Sequence, residues 1–166
     1  MAHRPFASTP EPVCSKVAQT RAKTVVRLDT ERGRGLPITP VKSLVAAAKA
    51  EITSLSPAEA RARAEDGRAL LVDIRDVREL KRDGRIPGAF HAPRGMLEFW
   101  IDPESPYHKP ELATDRTLIL FCAAAWRSAL SVKTLQDMGL EDIAEIEGGF
   151  SAWAEAGLPV AKDEAP

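Results

Sequence analysis

One cysteine stands where its sulfur can act as a nucleophile. The run from Leu118 to Ser128 predicts a buried strand, a tight loop that begins with Cys122, and a helix that begins with Arg127. Backbone N–H groups at a helix start are unpaired, and the helix dipole is positive there, so an anion at this position is stabilised. The arrangement therefore predicts a thiolate or a persulfide at Cys122.

The loop after this cysteine favours an anion-binding role over a structural one. A free cysteine after an apolar strand is often only a small core hydrophobe, and that alternative stands beside the first. Four residues separate Cys122 from Arg127, and they are Ala123, Ala124, Ala125 and Trp126. Small side chains let the loop N–H groups converge on one point, and Arg127 resists deprotonation. Ser128 either donates a hydrogen bond to the sulfur or only begins the helix.

Composition excludes several classes of protein. The chain has 166 residues with 23 basic and 24 acidic side chains, which indicates one domain plus an extension and no electrostatic binding of nucleic acid. Cys14 and Cys122 form no disulfide framework, so we expect a reducing compartment, the cytoplasm. No apolar run approaches the roughly 18 residues of a membrane helix.

The first forty residues differ from the rest of the chain. Residues 1–40 mix prolines with Ser, Thr and Arg without periodicity, which predicts a flexible extension. Their basic content is similar to that of an organelle transit peptide, but the prolines and Glu11 argue against targeting, and a misassigned start codon is a further alternative. We expect a short leading helix at 41–53, one folded domain at 54–160 and a tail at 161–166.

Helices and strands alternate along the folded part. The predicted helices are 41–51, 57–66, 76–83, 93–100, 127–138 and 150–155. The predicted strands are 69–74, 90–91, 117–121 and 142–146. Two helix starts carry capping boxes, with Ser56 and Glu59 at one and Asp76 and Glu79 at the other. This order predicts an α/β fold with a mostly parallel sheet covered by helices on both faces.

Binding sites in such sheets lie beyond the carboxyl ends of the strands. Cys122 is predicted there, and so are Asp73 and Arg75 at the end of their own strand. These two residues either shape the mouth of the pocket or form a structural ion pair, and we favour the ion pair. His91 is expected to be a packed or surface residue and not a base.

Four stretches together resemble the single-domain rhodanese family, over residues 54 to 160. They are LVDIR at 71–75, GRIPGA at 84–89, CAAAWRS at 122–128, and GGFSAW at 148–153 with AGLPV at 156–160. The resemblance implies a three-layer sulfurtransferase fold in which Cys122 carries a sulfane sulfur as a persulfide. It also implies that residues 123–128 hold the anion and that Asp73 and Arg75 support the site.

The implied reaction is a two-step sulfur transfer by covalent catalysis. The donor is thiosulfate or a low-molecular-weight persulfide, and the acceptor is a thiol, cyanide or a protein. No metal and no organic cofactor is needed, and a monomer is expected. Two alternatives are a non-catalytic interaction module and a redox protein in which Cys14 or an external thiol resolves oxidised Cys122. Phosphatases of similar fold have a loop one residue longer, so four residues favour sulfur over a tetrahedral oxyanion.

The loop also departs from the family pattern. Family loops often have glycine where this chain has Ala125, so a positive φ there would store about 1 kcal/mol of strain or more. The three alanines supply no charge, and this disfavours thiosulfate as the donor. Trp126 either grips a donor or a partner, or packs beneath the loop; we expect the packing role.

Overall fold

Five strands form one parallel sheet in the computed structural model, which describes residues 38–162. The strands are β1 (Thr53–Leu55), β2 (Ala69–Asp73), β3 (Phe90–His91), β4 (Thr117–Phe121) and β5 (Ile143–Ile146). Their order is β1-β5-β4-β2-β3, and every neighbouring pair is parallel, so the strand before Cys122 is the central one. The predictions for residues 1–37, Cys14 included, and for residues 163–166 lie outside the described residues.

Six α-helices connect and cover these strands. They are α1 (Val41–Lys49), α2 (Pro57–Glu65), α3 (Val77–Asp83), α4 (Leu97–Ile101), α5 (Trp126–Asp137) and α6 (Gly149–Glu155), with single 3-10 turns at Arg94–Met96 and Pro110–Leu112. Both predicted capping boxes are present, at Ser56 for α2 and at Asp76 for α3. Within residues 38–162, no helix is long and apolar enough to cross a membrane.

The alternation of side chains along the strands produces three layers. Leu118 and Leu120 of β4 pack with Val132 and Leu135 of α5 on one face of the sheet. The intervening residues of β4 pack on the other face, against α2 and α6, and these are Ile119 and Phe121. The predicted α/β fold with helices on both faces is therefore confirmed.

The structure differs from the prediction at three short elements. Residues 53–55 form a strand that the sequence did not reveal, since three residues carry no readable period. The predicted helix 93–100 is a 3-10 turn followed by α4. Helix α5 begins at Trp126, one residue before the predicted start, because Ala125 already serves as its N-cap.

The first turn of α6 holds the loop that carries the cysteine. The amide of Phe150 donates to the carbonyl oxygen of Cys122 at 2.8 Å, and the amide of Ser151 donates to that of Ala123 at 3.0 Å. Gly149 has a φ of 64° and allows this approach, because a Cβ there would collide with the Cys122 oxygen. Amide donors that α6 cannot use internally thus fix the loop backbone.

Ala125 has a left-handed backbone, with φ 59° and ψ 17°. It is the one non-glycine residue with a positive φ between residues 38 and 162. This conformation turns the chain from the cysteine loop into α5. The glycine of the family pattern left a positive φ at this position as one of two possibilities, and the structure has the positive φ; the cost of placing a Cβ there is about 1 to 2 kcal/mol.

We expect Gly149→Ala to destabilise the protein and to displace the loop. The new Cβ meets the Cys122 oxygen and lies 3.0 Å from the Ala123 carbonyl carbon, so the backbone must shift. Overpacking of this kind costs about 1 to 3 kcal/mol beyond the cost of the positive φ. Gly157→Ala is the matched control, since Gly157 has a φ of 68° and open space around its Cα. Equal losses in urea unfolding would contradict the close approach.

We expect Ala125→Gly to stabilise the fold by about 0.5 to 1 kcal/mol. Glycine removes the left-handed strain but adds backbone entropy to the unfolded chain, which offsets part of the gain. The free energy of unfolding from urea titration measures the difference. Ala124→Gly at the exposed neighbouring position, where φ is not positive, should instead lower stability. Because Ala125 is buried and Ala124 is exposed, a loss at both positions would show that the left-handed strain is smaller than the cost of removing the buried Cβ of Ala125.

Candidate active site

The Cys122 thiol lies directly after the central strand, at the start of the loop that leads into α5. The residue is only 1% exposed, and its Sγ lies 3.7 Å from the hydroxyl oxygen of Ser128. Arg127 lies in the first turn of α5, near this sulfur, and its interaction with Cys122 is one of the smaller causes of its raised pKa. The structure therefore brings together the thiol, the guanidinium and the hydroxyl that the sequence predicted to be close.

Arg127 is anchored by a carboxylate that sequence reasoning treated only as a helix cap. Its Nη1 and Nη2 atoms donate to the two oxygens of Glu79, at 2.8 and 2.7 Å. This bidentate pair lowers the pKa of Glu79 and is the largest cause of the raised pKa of Arg127. Glu79 also accepts from the amide of Asp76, so α3 orients the carboxylate before it meets α5.

A second carboxylate lies behind the thiol, and sequence reasoning missed it. Glu145 of β5 is fully buried and accepts a hydrogen bond of 2.8 Å from the Ser128 hydroxyl. Its other oxygen accepts from the hydroxyl of Ser54 at 3.2 Å and pairs with the ammonium of Lys49 at 3.1 Å. The signal in the sequence is a charged residue at an inward-facing position of an otherwise apolar strand.

Asp73 and Arg75 form a buried ion pair. The Nε and Nη2 atoms of Arg75 donate to the Asp73 carboxylate at 3.0 and 2.7 Å, and Nη2 also donates to the carbonyl oxygen of Gly84 at 2.8 Å. The guanidinium carbon lies 3.8 Å from the centre of the Phe150 ring. This geometry agrees with the structural ion pair, since both side chains are turned into the core.

The remaining predicted residues differ in their exposure. Ala124 is exposed, Ala123 is half-buried and Ala125 is buried. Trp126 is 45% exposed, so its ring does not pack beneath the loop as expected. The packed role expected for His91 fits its contact, because its Nε2 lies 2.8 Å from the carbonyl oxygen of Arg75 and must donate to it.

Comparison with known proteins identifies sulfurtransferases among the relatives. A sulfurtransferase from Allochromatium vinosum is 32% identical over 114 residues, which cover 69% of this chain and 96% of that protein. The structure of the polysulfide-sulfur transferase homodimer from Wolinella succinogenes is 34% identical, covers 74% of this chain and 88% of that chain, and has a TM-score of 0.57.

A third similar protein is described in different terms. It is a protein of unknown function and possible tyrosine phosphatase from Rhodopseudomonas palustris, and its structure is 48% identical to this chain. The match covers 76% of this chain and 100% of that chain, with a TM-score of 0.71. The family model of the rhodanese-like domain matches residues 56–156. Since this span is more than half of the chain and contains the thiol loop, the protein belongs to the rhodanese-like domain family.

Proposed function

We propose that the protein is a sulfurtransferase that carries a sulfane sulfur on Cys122 as a persulfide. The observation that supports this most directly is the position of Cys122 between β4 and α5, where its Sγ lies 3.7 Å from the Ser128 hydroxyl and Arg127 stands in the first turn of the helix. A cation and a helix start both stabilise an anionic sulfur. The family and its sulfurtransferase members support the same assignment. Residues 54–160 are the domain in this proposal, and the reducing cytoplasm suits its free thiol.

In the first step, the Cys122 thiolate attacks the outer sulfur of the donor. The S–S bond of the donor breaks, and its remaining part leaves with the electron pair, as sulfite from thiosulfate or as a thiolate from a persulfide. The product is a Cys122 persulfide whose negative charge lies on the outer sulfur. Arg127 and the amides of residues 123–128 are the groups placed to hold this charge.

In the second step, the acceptor attacks the outer sulfur of the persulfide. A thiolate or cyanide forms the new bond, the S–S bond of the persulfide breaks, and Cys122 leaves as a thiolate. The enzyme returns to its first state, so the kinetics are ping-pong. Cys122 is 1% exposed, and the outer sulfur lies about 2 Å beyond it, so the acceptor reaches the outer atom more easily than the thiol.

The charge of the site favours a singly charged donor over thiosulfate. Both terminal nitrogens of Arg127 already bind Glu79, which neutralises most of its charge. The three loop alanines add no cation. A dianion therefore meets one guanidinium and one carboxylate, whereas a low-molecular-weight persulfide brings a single charge and an organic part that the exposed Trp126 ring can contact.

Phosphatase activity is a second candidate, because the Rhodopseudomonas palustris relative is described as a possible tyrosine phosphatase. The loop length argues against this activity, since only four residues separate Cys122 from Arg127. Hydrolysis of p-nitrophenyl phosphate tests it directly. We expect the wild type to release no more nitrophenol than Cys122→Ser does.

Intact mass spectrometry tests the persulfide. After incubation with thiosulfate or glutathione persulfide, we expect wild-type protein to gain one sulfur atom and to lose it to cyanide as thiocyanate. Cys122→Ser should gain none, because Cys14 is then its one thiol and is not followed by the loop and helix that stabilise the anion. Glutathione persulfide should load faster than thiosulfate. A folded, reduced wild type that gains no sulfur from either donor would contradict the enzyme proposal and leave an interaction or redox module.

We expect Glu79→Gln to destabilise the fold by about 1 to 2 kcal/mol near neutral pH. The ion pair lowers the pKa of Glu79 below its ordinary value of 4.5, so the unfolded chain binds this proton more tightly. The contribution of Glu79 is therefore complete above pH 4.5 and is lost as the pH falls through the folded pKa.

Urea unfolding over an acidic pH series measures this effect. The stability difference between wild type and Glu79→Gln should shrink as the pH falls. Glu65→Gln is the matched control, because Glu65 pairs with Arg61 on the exposed face of α2 and such pairs contribute little. A difference that stays constant with pH would show that Glu79 does not act through its charge.

A further inference from the structure

Glu145 is a carboxylate in a position where a buried parallel strand normally carries an apolar residue. It is 0% exposed and lies on the face of the sheet that α5 covers. Three donors satisfy it, namely Ser128, Ser54 and Lys49. Burying a carboxylate is costly unless hydrogen bonds and an ion pair compensate it, and these three partners supply that compensation. The packing of the strand does not account for one feature of Glu145, namely its link to the Cys122 thiol through Ser128.

The carboxylate decides how Ser128 faces the Cys122 sulfur. A serine hydroxyl has one proton to donate, and an ionised carboxylate can only accept. The bond of 2.8 Å from Ser128 to Glu145 uses that proton, so the Ser128 oxygen turns its lone pairs toward Sγ, 3.7 Å away. A protonated thiol can donate to this oxygen, whereas a thiolate meets a lone pair. Glu145 thus favours the thiol through Ser128.

Charged groups on the neighbouring elements also affect the ionisation of Cys122. Arg127 of α5 lies near the sulfur and favours the anion, with Glu79 of α3 bound to it. On the other side, Lys49 of α1 partly balances the charge of Glu145 and is 35% exposed. Arg75 is held by Asp73, and Lys133 of α5 pairs with Glu51 and with Asp137 of its own helix. Glu145 therefore differs from Glu79 in that a serine hydroxyl, and not a cation, lies between the carboxylate and the thiol.

We propose that Glu145 is a positioning residue that sets, through Ser128, the pH at which Cys122 becomes a nucleophile. The inference rests on Cys122 being the reacting sulfur of the proposed function, but it concerns the ionisation of that sulfur and not the donor. Neither Glu145 nor Lys49 is part of the four stretches that resemble the family, and Lys49 lies before residue 56, where the family match begins. Helix α1 thus contributes to the control of the thiol.

The rate of Cys122 alkylation by iodoacetamide, measured over a pH series, tests this proposal without any sulfur donor. Only the thiolate reacts, so the midpoint of the profile reports its formation. We expect Glu145→Gln to lower the midpoint by about one pH unit, because a neutral amide removes a negative charge and can donate to the Ser128 oxygen. Ser128 is then free to donate to the sulfur.

Three further variants decide the mechanism. Ser128→Ala should also lower the midpoint, and in that background Glu145→Gln should have less than half its original effect, because the mediating hydroxyl is gone. Glu145→Asp, which keeps the charge, should stay nearer to wild type than Glu145→Gln. Glu141→Gln removes the same charge from an exposed position before β5 and should change nothing. Thermal unfolding confirms that each variant is folded.

Several results would overturn the proposal. An unchanged or raised midpoint in Glu145→Gln would show that the carboxylate does not hold the thiol in its neutral form. Equal shifts with and without Ser128 would show that Glu145 acts by charge alone, and an equal shift in Glu141→Gln would show a net-charge effect. If Glu145→Gln does not fold, an unchanged or raised midpoint in Ser128→Ala overturns the proposal by itself. If sulfur loading fails but the pH profiles of Cys122 alkylation are as expected, only the proposed function is contradicted.

Discussion

The buried charge of Arg75 is the interaction on which the rest of the site depends. Its side chain is 0% exposed and joins the end of β2, the Gly84 turn and the Phe150 ring of α6. Its Nη1 has no hydrogen-bond partner among residues 38–162. The face of the Phe150 ring and the Asp73 carboxylate therefore offset the free-energy cost of burying this guanidinium. Because a buried cation tolerates few arrangements, it fixes where α6 begins relative to the sheet.

The position of α6 in turn fixes the thiol. Phe150 contacts Arg75 through its ring and Cys122 through its backbone amide, so one residue connects the buried charge to the reactive loop. The loop is held by its carbonyls, and residues 123–125 are all alanine. The position of the Cys122 sulfur therefore depends on hydrogen bonds between backbone groups. The charge around the sulfur depends instead on Arg127 and Ser128, which bind the carboxylates of Glu79 and Glu145.

Local patterns predicted the elements and the thiol loop, but not the carboxylates that act on it. The capping box at Asp76 and the apolar strand before Cys122 depend on neighbours in sequence, and the structure confirms them. The positive φ of Ala125 was only a possibility that the family pattern raised. Glu79 and Glu145 act on partners far along the chain, at positions that only the sheet order brings together. Their roles could not be read without the fold.

The hydrogen bonds from α6 have a consequence for the order in which the protein is made. A ribosome produces Cys122 before residues 149–151, whose backbone supplies the amides that hold the loop. A nascent chain that ends before Gly149 thus contains the thiol but not the two amides that hold its loop. The carbonyl oxygens of Cys122 and Ala123 are then still hydrogen-bonded to water. The reactive geometry is completed only after residues 150 and 151 have been made, so a product truncated before them retains the cysteine but not its alignment.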